Sequence, residues 1–169
     1  MGARDSGADD DRMGPRDEIT GRRYEYGPWQ MVIQADSVFF RTLVHVVRGE
    51  MYLPVVTDLR YDKSAPYSVC MIFNSDTGMA ARWEFGRELL RSGQREISGV
   101  GDVQVWPSSN VDSGEVMISL RSGPEMALVA IAGEIVDAFL DQAASVVAVG
   151  EEADVFGIEE ALSQLLGEK

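Results

Sequence analysis

Val55-Val56-Thr57-Asp58-Leu59-Arg60-Tyr61, Tyr67-Ser68-Val69-Cys70-Met71-Ile72-Phe73 and Ala81-Arg82-Trp83-Glu84-Phe85 are three runs separated by short polar stretches. In the first, Val55, Thr57, Leu59 and Tyr61 alternate with Val56, Asp58 and Arg60. In the second, Tyr67, Val69, Met71 and Phe73 share one parity. In the third, Ala81, Trp83 and Phe85 alternate with Arg82 and Glu84. A period of two puts alternate side chains on opposite faces of a strand. The intervening Ser64-Ala65-Pro66 and Asn74-Ser75-Asp76-Thr77-Gly78 are turn chemistry. Short strands joined by tight turns imply a mainly antiparallel sheet.

The pattern extends in both directions. Val116, Ile118 and Leu120 alternate with Glu115, Met117, Ser119 and Arg121, and further turn signals stand at Gly99-Val100-Gly101-Asp102 and Ser122-Gly123-Pro124. Strands are expected near 38–47, 54–61, 67–74 and 80–85, followed by a helix over 86–92. A second set is expected near 95–98, 102–106, 115–121 and 125–131, followed by a helix over 133–147. In the first helix Leu89 and Leu90 share a side, Arg91 suits the C-terminal end, and Gly93 is expected to supply a left-handed stop. In the second, Ile135, Phe139, Ala143 and Val146 share a face opposite Glu134, Asp137 and Asp141. A third helix is expected over 158–166, with Ile158, Leu162, Leu165 and Leu166 as its stripe. The fold class is α+β: two consecutive units of four antiparallel strands plus a helix, then a C-terminal helix. Residues 1–28 read as a disordered acidic tail, too poor in apolar residues to offset the entropy of ordering.

A chain of 169 residues, 45% hydrophobic and 25% charged, suits one domain with a core. No apolar run approaches the ~20 residues of a membrane span, and the polar N-terminus lacks the features of a secretory signal. A cytoplasmic location without membrane insertion is the expectation. The net charge of −13 and pI near 4.4 oppose binding to phosphate backbones. Residues 109–169 hold two basic and twelve acidic side chains, a balance of −10, so the acidity belongs mainly to the C-terminal third.

Catalytic patterns are missing. There is no phosphate-binding loop and no nucleophile elbow. Gly99-Val100-Gly101 precedes a strand, as a hairpin turn does, not the helix of a dinucleotide site. Asp9-Asp10-Asp11 lacks the glycine and closing glutamate of a calcium loop. One histidine, His45, and one cysteine, Cys70, cannot build a typical zinc site. Both read as sheet residues, and the lone cysteine excludes an internal disulfide. Glu151 and Glu152 read as a solvated acidic loop. Trp83 and Trp106 would suit base stacking on an exposed sheet, and a core or interface otherwise. No enzyme activity, metal or cofactor is expected.

Leu59-Arg60-Tyr61-Asp62, Ala65-Pro66-Tyr67 and Val69, Phe73, Trp83-Glu84-Phe85-Gly86-Arg87-Glu88-Leu89-Leu90 with Gly93, Gly99, and Gly101-Asp102-Val103-Gln104-Val105-Trp106-Pro107 together resemble the SsgA-like proteins. These are sporulation and cell-division regulators of actinobacteria. The resemblance runs over residues 37–167, which form the expected SsgA-like domain. The chain departs from the pattern in its preceding tail of about 35 residues and in Ala65, where the family often has Asp before Pro-Tyr. The resemblance implies a Whirly-like fold, a homotrimer and no catalysis. It also implies action at division septum sites, where one family member recruits the tubulin-like GTPase FtsZ. Arg60, Tyr61, Asp62 and Tyr67 fall in the first signature and Arg87 and Glu88 in the second, which makes them candidates for partner binding. Tyr61, Trp83, Phe85 and Leu89 equally suit a core. Fold likeness to Whirly proteins carries the alternative of single-stranded nucleic-acid binding, through a basic face of Arg60, Lys63, Arg82, Arg87, Arg91 and Arg95.

Overall fold

The computed structural model describes residues 22–26, 29–157, 162 and 164–167. Nine strands form one connected sheet: β1 (Arg22–Tyr26), β2 (Trp29–Ile33), β3 (Ser37–Arg48), β4 (Met51–Asp62), β5 (Ser68–Phe73), β6 (Ala81–Gly86), β7 (Val103–Pro107), β8 (Glu115–Ser122) and β9 (Glu125–Ala132). Helix α1 (Arg87–Ser92) follows β6, α2 (Gly133–Val146) follows β9, and a short α3 (Glu152–Phe156) comes after α2. The order across the sheet is β6-β5-β4-β3-β9-β8-β7, with β2 and β1 branching from β3, and every pairing is antiparallel. The fold is thus mixed α and β, antiparallel in its sheet, with a helix towards the C-terminus.

β3 organises the molecule. One edge pairs with β4 along its whole length. The other edge is shared: β2 takes Val38–Arg41 and β9 takes His45–Val47. A two-residue turn at Gly49-Glu50, with Gly49 at φ 59°, joins β3 to β4, as the twist of a hairpin favours. The inward parity forms the core: Phe40 and Val44 from β3, Leu59 and Tyr61 from β4, Val69, Met71 and Phe73 from β5. Helix α2 closes this core with Ile135, Val136, Phe139, Leu140 and Ala143. The Phe139 ring meets Phe40 edge-on, with centroids 5.5 Å apart and planes at 76°, a geometry the ring quadrupoles favour.

Several expectations need correction. The strands do not divide into two four-stranded sheets, because β3 and β9 join all of them into one. The stretch 95–98 is not a strand and contributes one bridge, Ser98 with Val105. The amides of Arg95 and Glu96 bond to the Ser92 carbonyl, so they continue the turn off α1 and are unavailable to a ladder. The second set therefore has three strands before its helix. Gly93 is not left-handed, with φ −63° and ψ −14°. It is glycine because a Cβ there would lie 2.3 Å from Val105 Cγ1. Upstream, Arg22–Tyr26 of the supposed tail pairs with β2, and Met31 of β2 is buried. Residues 1–21 and 27–28 lie outside the described residues. So does most of the expected 158–166 helix, of which Leu162 and 164–166 are helical. Glu151-Glu152 is no solvated loop, since Glu152 opens α3.

Candidate interaction site

The outward parity of the sheet is polar and aromatic. Its register sets Arg41 opposite Asp58, Asp58 opposite Ile72, and Ile72 opposite Arg82. The adjacent row runs Val32, Phe39, Arg60, Cys70, Glu84. A cavity of about 490 Å³ opens on this second row and is lined from all five strands β2 to β6, so the sheet is concave here. That volume lies within the range of ligand pockets.

Asp58 anchors the face. It is 1% exposed, and Arg41 donates to both carboxylate oxygens, from Nε at 2.8 Å and Nη2 at 3.1 Å. Arg60 Nη2 adds a longer contact of 3.5 Å. Burial alone would push the Asp58 carboxyl up, but the Arg41 hydrogen bonds and the charges of Arg41 and Arg60 hold it below the ordinary range. Phe39 lies under both guanidinium groups, at 5.7 Å from Arg41 and 5.4 Å from Arg60. Cys70 is buried, and desolvation raises its thiol pKa despite Arg82 and Arg60 nearby. It is therefore a protonated thiol at neutral pH, without nucleophilic character. Arg82 donates to Glu84 at 3.3 Å on the open surface.

The six candidate residues take different places. Arg60 and Asp62 are exposed and line the cavity, and Tyr61 lines it from within the core at 1% exposure. The Tyr61 hydroxyl donates to the Pro66 carbonyl at 3.0 Å. The Asp62 carboxylate accepts from the Ser64 amide at 2.8 Å and hydroxyl at 2.6 Å, which shapes the turn and lowers the Asp62 pKa. Tyr67 is half-exposed, and its carbonyl accepts from the Arg87 amide at 2.7 Å. Glu88 is on the surface, held by Arg91 Nε at 2.8 Å and Ser92 Oγ at 2.8 Å. Arg87 is buried. It pairs with Glu152, donates to the Val147 carbonyl at 2.7 Å, and lies 5.0 Å above the Tyr61 ring. Arg87 and Tyr61 thus join α1, α3, the end of α2 and β4, and the surface available to a partner comes from Arg60, Asp62, Tyr67 and Glu88.

The supposed basic face does not assemble as one. Arg87 is buried, Arg91 is paired with Glu88, and Lys63 stands 3.7 Å from Asp36. Trp83 is half-buried against the core. His45 is half-buried in β3, with its ring 6.2 Å from that of Tyr52. Among the described residues no three His, Cys, Asp or Glu side chains gather as metal ligands, and no helix is long and apolar enough to cross a membrane. Sequence reasoning passed over Arg41, Asp58, Cys70 and Glu152 as site residues, and placed Arg82 only in the basic face. The strand alternation puts Asp58 and Arg82 on the outward parity and is the signal that groups them. No local pattern links Glu152 to Arg87, which is 65 residues away.

The family of Streptomyces sporulation and cell division proteins typified by SsgA matches residues 55–152. The sporulation-specific cell division protein SsgB of Streptomyces coelicolor is 37% identical over 123 residues, covering 73% of this chain and 90% of SsgB. SsgB of Salinispora tropica is 36% identical over 138 residues, covering 80% and 96%. A solved structure from work on SsgB mutations that correlate to longitudinal cell division during sporulation of Streptomyces coelicolor superposes with a TM-score of 0.66. It has 33% identity over 70% of this chain and 94% of its own. The crystal structure of the SsgA-like sporulation-specific cell division protein of Thermobifida fusca gives 0.68 at 26% identity, over 78% and 98%. With the signature around Arg60 placed on this sheet and that around Arg87 on α1, and with the match spanning most of the strands and α2, the chain belongs to the SsgA family of sporulation and cell division proteins.

Proposed function

We propose that the chain is a non-catalytic adaptor of sporulation-associated cell division, which helps position or recruit FtsZ at the septum as a homotrimer in the cytoplasm. The match to SsgB proteins over 90% or more of their length carries the reading. Two features support it. The cavity holds the Arg82–Glu84 ion pair and a protonated thiol, and the Arg41–Asp58 pair lies in the neighbouring row, an arrangement that suits recognition better than chemistry. The β3–β4 hairpin projects Leu43, Met51, Tyr52 and Leu53 to solvent, and β5 pairs with β4 only over Thr57–Arg60. An apolar arm with an open strand edge is what a cyclic oligomer covers. A trimer presents three copies of a weak site to a filament, which multiplies avidity. The Whirly likeness is kept at the level of architecture, supported by the order of strands then helix in β3–β6 with α1 and β7–β9 with α2. Single-stranded nucleic-acid binding is not supported, since the chain carries −13 and Trp83 packs inward. The test is sedimentation of FtsZ polymer with and without the protein. Co-pelleting in proportion to polymer is expected, and a protein left wholly in the supernatant would sink the recruiting role.

A further inference from the structure

The concave face of β2–β6 is rich in arginine, and its basic and acidic side chains balance where the chain as a whole is strongly acidic. On a protein of net charge −13, Arg41, Arg60 and Arg82 expose 42%, 50% and 61% of their side chains. The carboxylate that serves two of them, Asp58, is buried beneath at 1% exposure. Three guanidinium groups therefore meet solvent here, against the two exposed carboxylates of Asp62 and Glu84. Arg60 spends one donor on a 3.5 Å contact, and Arg82 one on a 3.3 Å contact, although each guanidinium carries five N–H donors. Two acidic groups share the cavity. Asp62 is turned to the Ser64 amide and hydroxyl. Glu84 faces Cys70 across the β5–β6 pairing and stands as the one exposed anion among the arginines of the two rows.

We propose that this concave face docks an extended acidic peptide segment of a partner protein, its carboxylates paired with Arg60 and Arg82 and an apolar side chain resting on Phe39. The inference rests on the adaptor reading and adds a place and a chemistry to it. Arg60 on β4 and Arg82 on β6 stand two strands apart, about 10 Å at the usual strand spacing. One small anion spans that separation poorly. An extended peptide carries same-side residues about 7 Å apart, and flexible Glu side chains bridge the remainder. Arginine suits such bidentate carboxylate pairing. Phe39 and Val32 offer an apolar seat in the same row.

The probe is a fluorescein-labelled peptide of alternating Glu and Val, titrated with the full chain and followed by anisotropy, with a Gln-Val peptide as control. Saturable binding that weakens about tenfold or more in Arg82→Ala and in Arg60→Ala, and weakens with salt, is expected. Glu84→Gln removes the exposed anion and is expected to tighten binding several-fold, a gain that a misfolded variant would not produce. Equal binding of the Gln-Val control, indifference to the arginine variants, or a loss of affinity in Glu84→Gln would overturn the proposal. An affinity that falls as the protein self-associates would assign the face to a second copy and overturn it also. If the peptide fails while the chain still co-pellets with FtsZ polymer, this proposal alone is lost. If both fail, the adaptor reading goes with it.

Discussion

At the scale of single residues, Arg87 and Glu152 make an asymmetric pair. Arg87 is 4% exposed and Glu152 14%, and a second Glu152 oxygen accepts from the Gly150 amide at 2.7 Å. Replacing Glu152 by Ala leaves a buried guanidinium without its counter-charge, at a cost of about 3 kcal/mol. Replacing Arg87 by Met leaves a carboxylate that water reaches and fills the space with an apolar chain, so it costs less. Urea denaturation midpoints of the two variants check this, and equal losses would contradict the desolvation account. The pH dependence has a definite sign. Hydrogen bonding to Arg87 lowers the Glu152 pKa, and the Arg41 pairing holds Asp58 low against the effect of burial. Both groups contribute stability above about pH 4, the unfolded carboxyl value. That contribution disappears as pH falls through the lower folded values. Thermal melts from pH 7 to pH 2 are expected to show a steep acid limb, flatter in Asp58→Asn.

Elements whose apolar residues alternate, or repeat at helical spacing, were legible in the sequence. β4, β5, β6, β8, β9, α1 and α2 fall where the patterns place them, because each buries one face against the same core. The misses have physical causes. β2 holds only five residues, and its Met31 was diluted by the charged composition upstream. The stretch 95–98 has strand-like residues, but Ser92 captures the amides of Arg95 and Glu96. For Gly93 the sequence showed that a glycine was needed and not why: it permits the close approach of α1 to β7. Gly93→Ala is therefore expected to destabilise by about 1–3 kcal/mol through overpacking, with Val105→Ala in the same chain recovering part of the loss. A double-mutant cycle by thermal melting measures this coupling, and additive losses would leave the close approach without energetic weight. Of the candidate site, the signatures located Arg60 and Asp62. Alternation along β4 and β6 put Asp58 and Arg82 on the outward parity, but only the three-dimensional register set these residues and Arg41 in adjacent rows.

For the whole molecule, the open length of β4 is where assembly is expected. Tyr52 and Leu53 are 51% and 43% exposed on the β3–β4 arm. Glutamate at both positions leaves the core untouched and puts charge where subunits would meet. Light scattering is expected to give a trimer mass for the native chain and a monomer mass for Tyr52→Glu/Leu53→Glu, with an unchanged far-UV spectrum. A native monomer would remove the trimer from the functional reading. The Arg87–Glu152 pair acts at this scale too. Its partners lie 65 residues apart, and Val147, the other acceptor of Arg87, lies nearly as far along the chain. During synthesis β3–β6 and α1 are complete long before either acceptor leaves the ribosome. Until then, closing the core over Arg87 would strand a charge away from water, which disfavours the docked position of α1. A chain interrupted before residue 152 would therefore carry its first helix without the counter-ion that Glu152 supplies to Arg87.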